Sequence, residues 1–185
     1  MGMPDTARRY TVEEVLAFPE DGSRYELVDG ELLVTPAPAQ RHEIILFRLA
    51  DLVYQYLVSF PDVAQAFFSR GDVIWGPDEY VQPDLFVVPA HQVTGDWRDC
   101  QTLLLAAEIV SPSSAQADRV RKRRLYQRRG VAAYWVVDPD ARVVEVWRPD
   151  QDRPEIVTDV LRWRVTPEAS DLVIEVPNLF IGLPG

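Results

Sequence analysis

Scarcity narrows the field before any motif is considered. The 185-residue chain has one cysteine, Cys100, and two histidines, His42 and His91. One thiol excludes an intramolecular disulfide and a thiolate zinc cluster, and two histidines argue against a histidine-rich zinc site. The opening MGMPDTARRY has no apolar signal-peptide core, and no run reaches membrane-spanning length, so a cytoplasmic protein without a membrane partner is expected. Positive charge is also short: 19 Lys and Arg against 29 Asp and Glu give 19 − 29 = −10. That balance argues against a nonspecific DNA-packaging protein but leaves room for a local basic groove. There is no internal repeat and no low-complexity linker. With 47% hydrophobic residues, the chain can build one domain with a substantial core.

Local patterns predict an alternation of strands and helices. Thr11 and Glu14 form a capping-box pattern ahead of Val15, Leu16 and Phe18, and Pro19 stops that short helix. Arg24 to Val34 reads as a hairpin turning at Asp29-Gly30. After the proline-rich Thr35 to Ala39, a helix of about Ala39 to Val58 presents His42, Leu46, Leu49, Val53 and Tyr56 on one face. Strands are expected over Ala64 to Trp75, with an interruption at Arg70-Gly71-Asp72, and over Gln82 to Val88 and Leu103 to Val110. A Ser113 and Gln116 capping box would start a helix of about Ala115 to Arg129, ended by Gly130. Val131 to Asp138 and Arg142 to Arg148 read as a hairpin around Asp140-Ala141. A short strand near Asp159 to Val165 and a helix or turn near Ala169 to Phe180 complete the chain. The economical architecture is α/β (α+β): a mixed central sheet flanked by helices.

Chemistry enters with acids in apolar strands. Asp84 lies in VQPDLFVV and Glu108 in LLLAAEIV. A carboxylate there costs several kcal/mol unless it is paired, hydrogen-bonded or bound to a metal. Strand periodicity puts Asp84 with Phe86 and Val88, and Glu108 with Ala106 and Val110. If the two strands are neighbours, a hard ion such as Mg2+ or Mn2+ would relieve the repulsion and activate a water. The plainer alternative makes each a strand-end residue bonded to nearby backbone. Lys122 shares a helix stripe with Asp118, Leu125, Tyr126 and Arg129, so it turns partly inward. There it could orient or deprotonate a water or stabilise a phosphate, unless it simply pairs with Asp118 at i, i+4.

Weaker candidates surround these three. Glu26 lies on the face opposite Tyr25 and Leu27, and Gln82 shares a face with Asp84. His42 stands on the first turn of its helix, in reach of a substrate phosphate. Seven basic residues crowd Arg119 to Arg129, with Arg119 and Arg121 as candidate phosphate contacts. A solvated helix exterior offsetting nearby acids is the alternative.

YELVDGEL (Tyr25 to Leu32), Arg41-His42, VQPDLFVV, AAEIVSPSS, Lys122-x-x-x-Tyr126 and GVAAYWVVDP (Gly130 to Pro139) together resemble the Uma family of restriction-endonuclease-like proteins. The likeness spans about Tyr10 to Phe180, as expected of one restriction-endonuclease-like domain over 1–185. It implies a PD-(D/E)XK-type core with Asp84, Glu108, Lys122 and Glu26 as catalytic residues. The superfamily pattern has its lysine two residues after the glutamate; Val110 stands there, and the resemblance moves that role to Lys122. Asp84, Glu108 and the Ile109 carbonyl would hold Mg2+ or Mn2+ in a nuclease acting on nucleic acid, DNA above RNA, as a homodimer. The competing readings are a catalytically silent nucleic-acid- or protein-binding module and a small phosphate-ester hydrolase.

Overall fold

The structure is a computed structural model describing residues 8–69 and 71–184. Its first helix, α1 (Val12–Leu16), carries the expected reciprocal cap: Glu14 N donates to Thr11 Oγ1, and Thr11 N to Glu14 Oε2. Strands β1 (Arg24–Val28) and β2 (Glu31–Thr35) pair antiparallel across Asp29 and Gly30. Both turn residues have positive φ, 51° and 73°, as a tight hairpin matched to strand twist requires. Helix α2 (Gln40–Leu57) follows and buries Ile45, Leu46, Leu49 and Val53.

The central strands differ from expectation in one way that matters. The stretch from Ala64 divides into β3 (Ala64–Phe68) and β4 (Val73–Gly76), which lie in different sheets. Arg70, part of the expected interruption, lies outside the described residues, as do Met1 to Ala7. The expected strand from Gln82 likewise divides into β5 (Glu79–Val81) and β6 (Leu85–Pro89). Asp84 therefore stands just before a strand rather than within one. Pro83 has no N–H to give a ladder, and the chain uses that break to pass from one sheet to the next. The backbone groups of Gln82 are satisfied by side chains instead: its N–H donates to Glu26, and its carbonyl accepts from Arg24.

Strand β7 (Leu105–Ile109) precedes a helix whose first part, Ala117–Lys122, is π-helical and continues as α3 (Arg123–Arg128). The expected Ser113 and Gln116 cap does not form. Ser111 and Ser114 make the reciprocal pair, each backbone N–H donating to the other's hydroxyl. Gly130, at φ 69°, ends the helix as expected. Then come β8 (Tyr134–Asp138), β9 (Val143–Trp147), β10 (Glu155–Val157), β11 (Val160–Trp163), β12 (Leu172–Glu175) and α4 (Val176–Leu179). The helix or turn expected near Ala169 to Phe180 is met by α4, but the residues just before it, Leu172–Glu175, are strand, with Leu172 and Ile174 buried alternately. Four residues of alternation were too few to separate from a turn.

The main sheet is six-stranded in the order β10-β9-β8-β7-β6-β3, with β7 and β8 parallel and the other pairs antiparallel. A four-stranded sheet, β2-β1-β5-β4, lies beside it. Burial alternates with period two. Leu85, Val87, Leu105, Ala107, Trp135 and Val137 join α2 in one core layer. Phe86, Val88, Ala106, Tyr134 and Val136 join α3 and the smaller sheet in another. This is an α+β fold with a mixed central sheet flanked by helices, as expected. Among the described residues no helix is long and apolar enough to cross a membrane.

The second layer has no slack beside Phe86. A Cβ at Gly71 would lie 2.6 Å from Phe86 Cε1 and Cζ and 3.2 Å from Trp97. Gly71→Ala should therefore lower stability by about 1–3 kcal/mol. Urea denaturation measures this, and an unchanged midpoint would show that the ring can yield.

Candidate active site

Register brings the two acids together. Leu85 pairs with Ala107 and Phe86 with Ala106 across β6 and β7, so one further step sets Asp84 beside Glu108. Both are buried, at 3% and 2% exposure, on the layer that faces α3. Asp84 Oδ1 accepts from Arg24 Nη2 at 2.7 Å, while Oδ2 accepts from Ile109 N at 2.8 Å and lies 2.9 Å from His42 Nε2. Glu108 Oε1 accepts from Lys122 Nζ and from the Tyr126 hydroxyl, each at 3.0 Å. Its Oε2 faces Arg24 Nη1 at 3.7 Å.

Lys122 sits at the centre of the acids. Its ammonium lies 2.7 Å from Glu26, 3.0 Å from Glu108 and 3.5 Å from Asp118, and it is almost fully buried. The π-helical segment presents Asp118 and Lys122 together; Arg123 N bonds back to the Asp118 carbonyl, five residues earlier. Such widened turns recur at functional positions. The i, i+4 pair with Asp118, offered as the plainer reading of Lys122, forms alongside the contacts to Glu26 and Glu108.

The charges decide the protonation states. Burial alone would pull the Lys122 ammonium down, but Glu108, Glu26 and Asp118 outweigh it and hold its pKa above the ordinary lysine value. The raised value favours the charged ammonium, which suits Lys122 to orienting a water or stabilising a phosphate more than to accepting a proton. Burial pushes Glu108 well above the carboxylate range despite Lys122, with Asp84, Asp118 and Glu26 adding repulsion. Asp118 is raised for the same first reason. Burial would raise Asp84 too, but the His42 hydrogen bond and the Arg24 charge overcome it and hold its carboxyl well below the usual range. Burial works against a charged His42, and Asp84 outweighs it, so that ring is raised.

These groups open onto a cleft of about 300 Å³, lined among others by Arg24, Arg41, His42, Ser113 and the two acids. Of the residues expected from sequence, Asp84, Glu108, Ile109, Lys122 and His42 line it. Glu26 does not: it lies behind Lys122, one oxygen on the ammonium and the other accepting from Gln82 N. The Gln82 side chain points away, to Asp72 and the Tyr80 hydroxyl. Arg119 is tied to Asp138 and Glu145, and Arg121 to Glu31, and neither lines the cleft. Much of the basic helix offsets nearby acids, since Arg128 and Arg129 share Glu79.

Four participants carry no site role on sequence grounds: Arg24, Asp118, Tyr126 and Arg41. Arg24 was legible in principle, since it lies two residues before Glu26 on the same strand face. The other neglected signal is compositional: Lys122 is the chain's only lysine among 19 basic residues. Among the described residues no group of three or more His, Cys, Asp or Glu is arranged to hold a metal ion.

The family model for Uma2, described as "Putative restriction endonuclease", matches residues 12–166. A crystal structure described as "a putative nuclease belonging to DUF820", from Anabaena variabilis ATCC 29413, superposes with a TM-score of 0.76 at 21% identity, covering 92% of this chain and 97% of that one. At that identity the likeness shows a shared fold. Comparison with curated proteins found no match. The chain belongs to the Uma2 family, within the restriction-endonuclease-like superfamily.

Four carboxylates against two permanent cations make removal of a cation and removal of an anion unequal. Lys122→Met should cost about 3–5 kcal/mol, the scale for orphaning buried charge. Glu108→Gln should cost nothing at neutral pH or raise stability. Raised groups stabilise below their unfolded values, and that contribution is lost as pH rises through the folded ones. Stability should accordingly fall as pH climbs from the carboxylate range, and Glu108→Gln should flatten the fall. Equal losses in both variants, by urea denaturation, would contradict the charge count.

Proposed function

We propose that this member of the Uma2 family is a metal-dependent nuclease hydrolysing phosphodiester bonds, in DNA by preference, with Mg2+ or Mn2+ as its ion. The observation that carries the reading is the meeting of Asp84 and Glu108 at the ends of neighbouring strands, on a cleft, with Lys122 fixed 3.0 Å from Glu108.

The donor chemistry suits a hard divalent ion. Glu26, Asp84, Glu108 and Asp118 carry four charges when ionised, against one each on Arg24 and Lys122, so the cluster has room for two more positive charges. Mg2+ is commonly held by one or two carboxylates, with waters and substrate phosphates completing its shell, so a three-residue cage is not required. Asp84 and Glu108 would hold the ion, with the Ile109 carbonyl beside them. Bound there, it supplies Lewis-acid polarisation of a phosphate oxygen.

The chain's own groups do the rest. Lys122, held as an ammonium by the acids around it, stabilises negative charge growing on the phosphate and orients a water. Glu26 and Asp118 hold that ammonium in place, and the Tyr126 hydroxyl fixes one Glu108 oxygen. His42 orients Asp84, and Arg41 offers donors to a phosphate entering the cleft. Gln82 supports the site through its backbone. Arg119 and Arg121 lie beyond the cleft, where only a longer strand would meet them. A homodimer would present two such sites to the two strands of a duplex.

One observation favours a second reading. Arg24 spans the acids with a charge of its own, which a catalytically silent nucleic-acid- or protein-binding module would keep permanently. Incubation with plasmid, linear and single-stranded DNA and with RNA, in Mn2+ or in chelator, separates the two. The nuclease cuts only with the ion, and Glu108→Gln removes at least about 10²-fold of the rate, the scale of one lost stabiliser of transition-state charge. Cleavage in chelator, or undiminished in Glu108→Gln, contradicts the proposal. Binding without cleavage under every condition favours the silent module.

A further inference from the structure

Arg24 is tied to the acids differently from Lys122. The ammonium of Lys122 is enclosed by three carboxylates and is 3% exposed. The guanidinium of Arg24 lies at the cleft and is 18% exposed. It spans Asp84 Oδ1 at 2.7 Å and Glu108 Oε2 at 3.7 Å, the two oxygens those acids do not give to His42, Ile109, Lys122 or Tyr126. Its third anchor is a single backbone carbonyl, that of Gln82.

We infer that Arg24 is the resident counter-ion of the cleft: its fork fills the seat between Asp84 and Glu108, and a divalent ion must displace it to enter. The inference rests on the ion-dependent reading of the same site. A planar guanidinium reaches two carboxylates at once, which a point charge cannot do, so it separates and neutralises two acids that would otherwise repel. The same two oxygens are those an ion bridging the acids would use. Guanidinium and ion cannot share the seat, because two like charges at such range repel strongly in a buried setting.

A recess of about 40 Å³ adjoins the main cleft, and Arg24, Pro36, Ala37, Pro38, His42 and Asp84 line both, so Arg24 stands where the two meet. Asp84 keeps His42 and the Ile109 amide through the change, and Glu108 keeps Lys122 and Tyr126. The carboxylates therefore stay aimed at the vacated position. Arg24 thus determines how readily the site is loaded, and its removal favours the ion.

Mn2+ binding, followed by the electron paramagnetic resonance signal of the free ion, tests this without reference to cleavage. Arg24→Gln should bind Mn2+ at least tenfold more tightly than the parent chain, and Glu108→Gln should lose binding. Arg24→Lys, which keeps the charge but not the fork, should bind more tightly than the parent by a smaller factor; it carries the test if Arg24→Gln fails to fold. Equal or weaker binding in the Arg24 variants, with Glu108→Gln still defective, overturns the competition and leaves the ion-dependent reading standing. Absence of Mn2+ binding in the parent and in every folded Arg24 variant overturns both.

Discussion

A single buried ammonium holds this site together. Lys122 touches Glu26 from β1, Glu108 from β7 and Asp118 from its own helix turn, so three separate segments are tied through one charge. Buried carboxylates at that range would repel at considerable cost without it. The smaller sheet, the central sheet and the helix over them are thereby fixed in mutual position where the cleft opens. The widened helical turn at Ala117–Lys122 belongs to the same arrangement, because Asp118 and Lys122 both face inward from it.

The remaining electrostatics follow from an imbalance. Arg24 and Lys122 are the permanent cations facing four acids, and the acids adjust in opposite directions. Asp84, with Arg24, His42 and the Ile109 amide around it, stays ionised well into acid. Glu108, buried and crowded by other carboxylates, resists ionisation even beside Lys122. Two neighbouring acids thus differ because one has more donors than the other. Active sites commonly retain such costly groups, since stability is given up where chemistry needs charge.

Much of this was legible in the residues, and the omissions have physical causes. Asp84 and Glu108 announced themselves as acids in apolar runs, and alternation placed both on one face. Period two in β6 and β7 then produced the two core layers, with Phe86 and Ala106 on one and Leu85 and Ala107 on the other. Strand limits were less visible, because valine and leucine flank the Gln82-Pro83-Asp84 break where the chain changes sheets. Arg24 was hidden by its ordinary appearance at a strand start; only the three-dimensional meeting of β1 with the Gln82–Asp84 link ahead of β6 gives it a role. The basic run at Arg119–Arg129 was legible as charge but not as partnership. Its acids, Asp29, Glu31, Glu79, Asp138 and Glu145, are scattered along the chain and come together only on folding.

The uniqueness of Lys122 permits a direct test of the central interaction. A metal-free sample labelled with 15N at lysine Nζ has one side-chain resonance of that kind. Titration should find it protonated to the highest pH at which the chain stays folded, above the ordinary lysine value near 10.4. Loss of the proton at or below that value would mean that the carboxylates do not surround it as described.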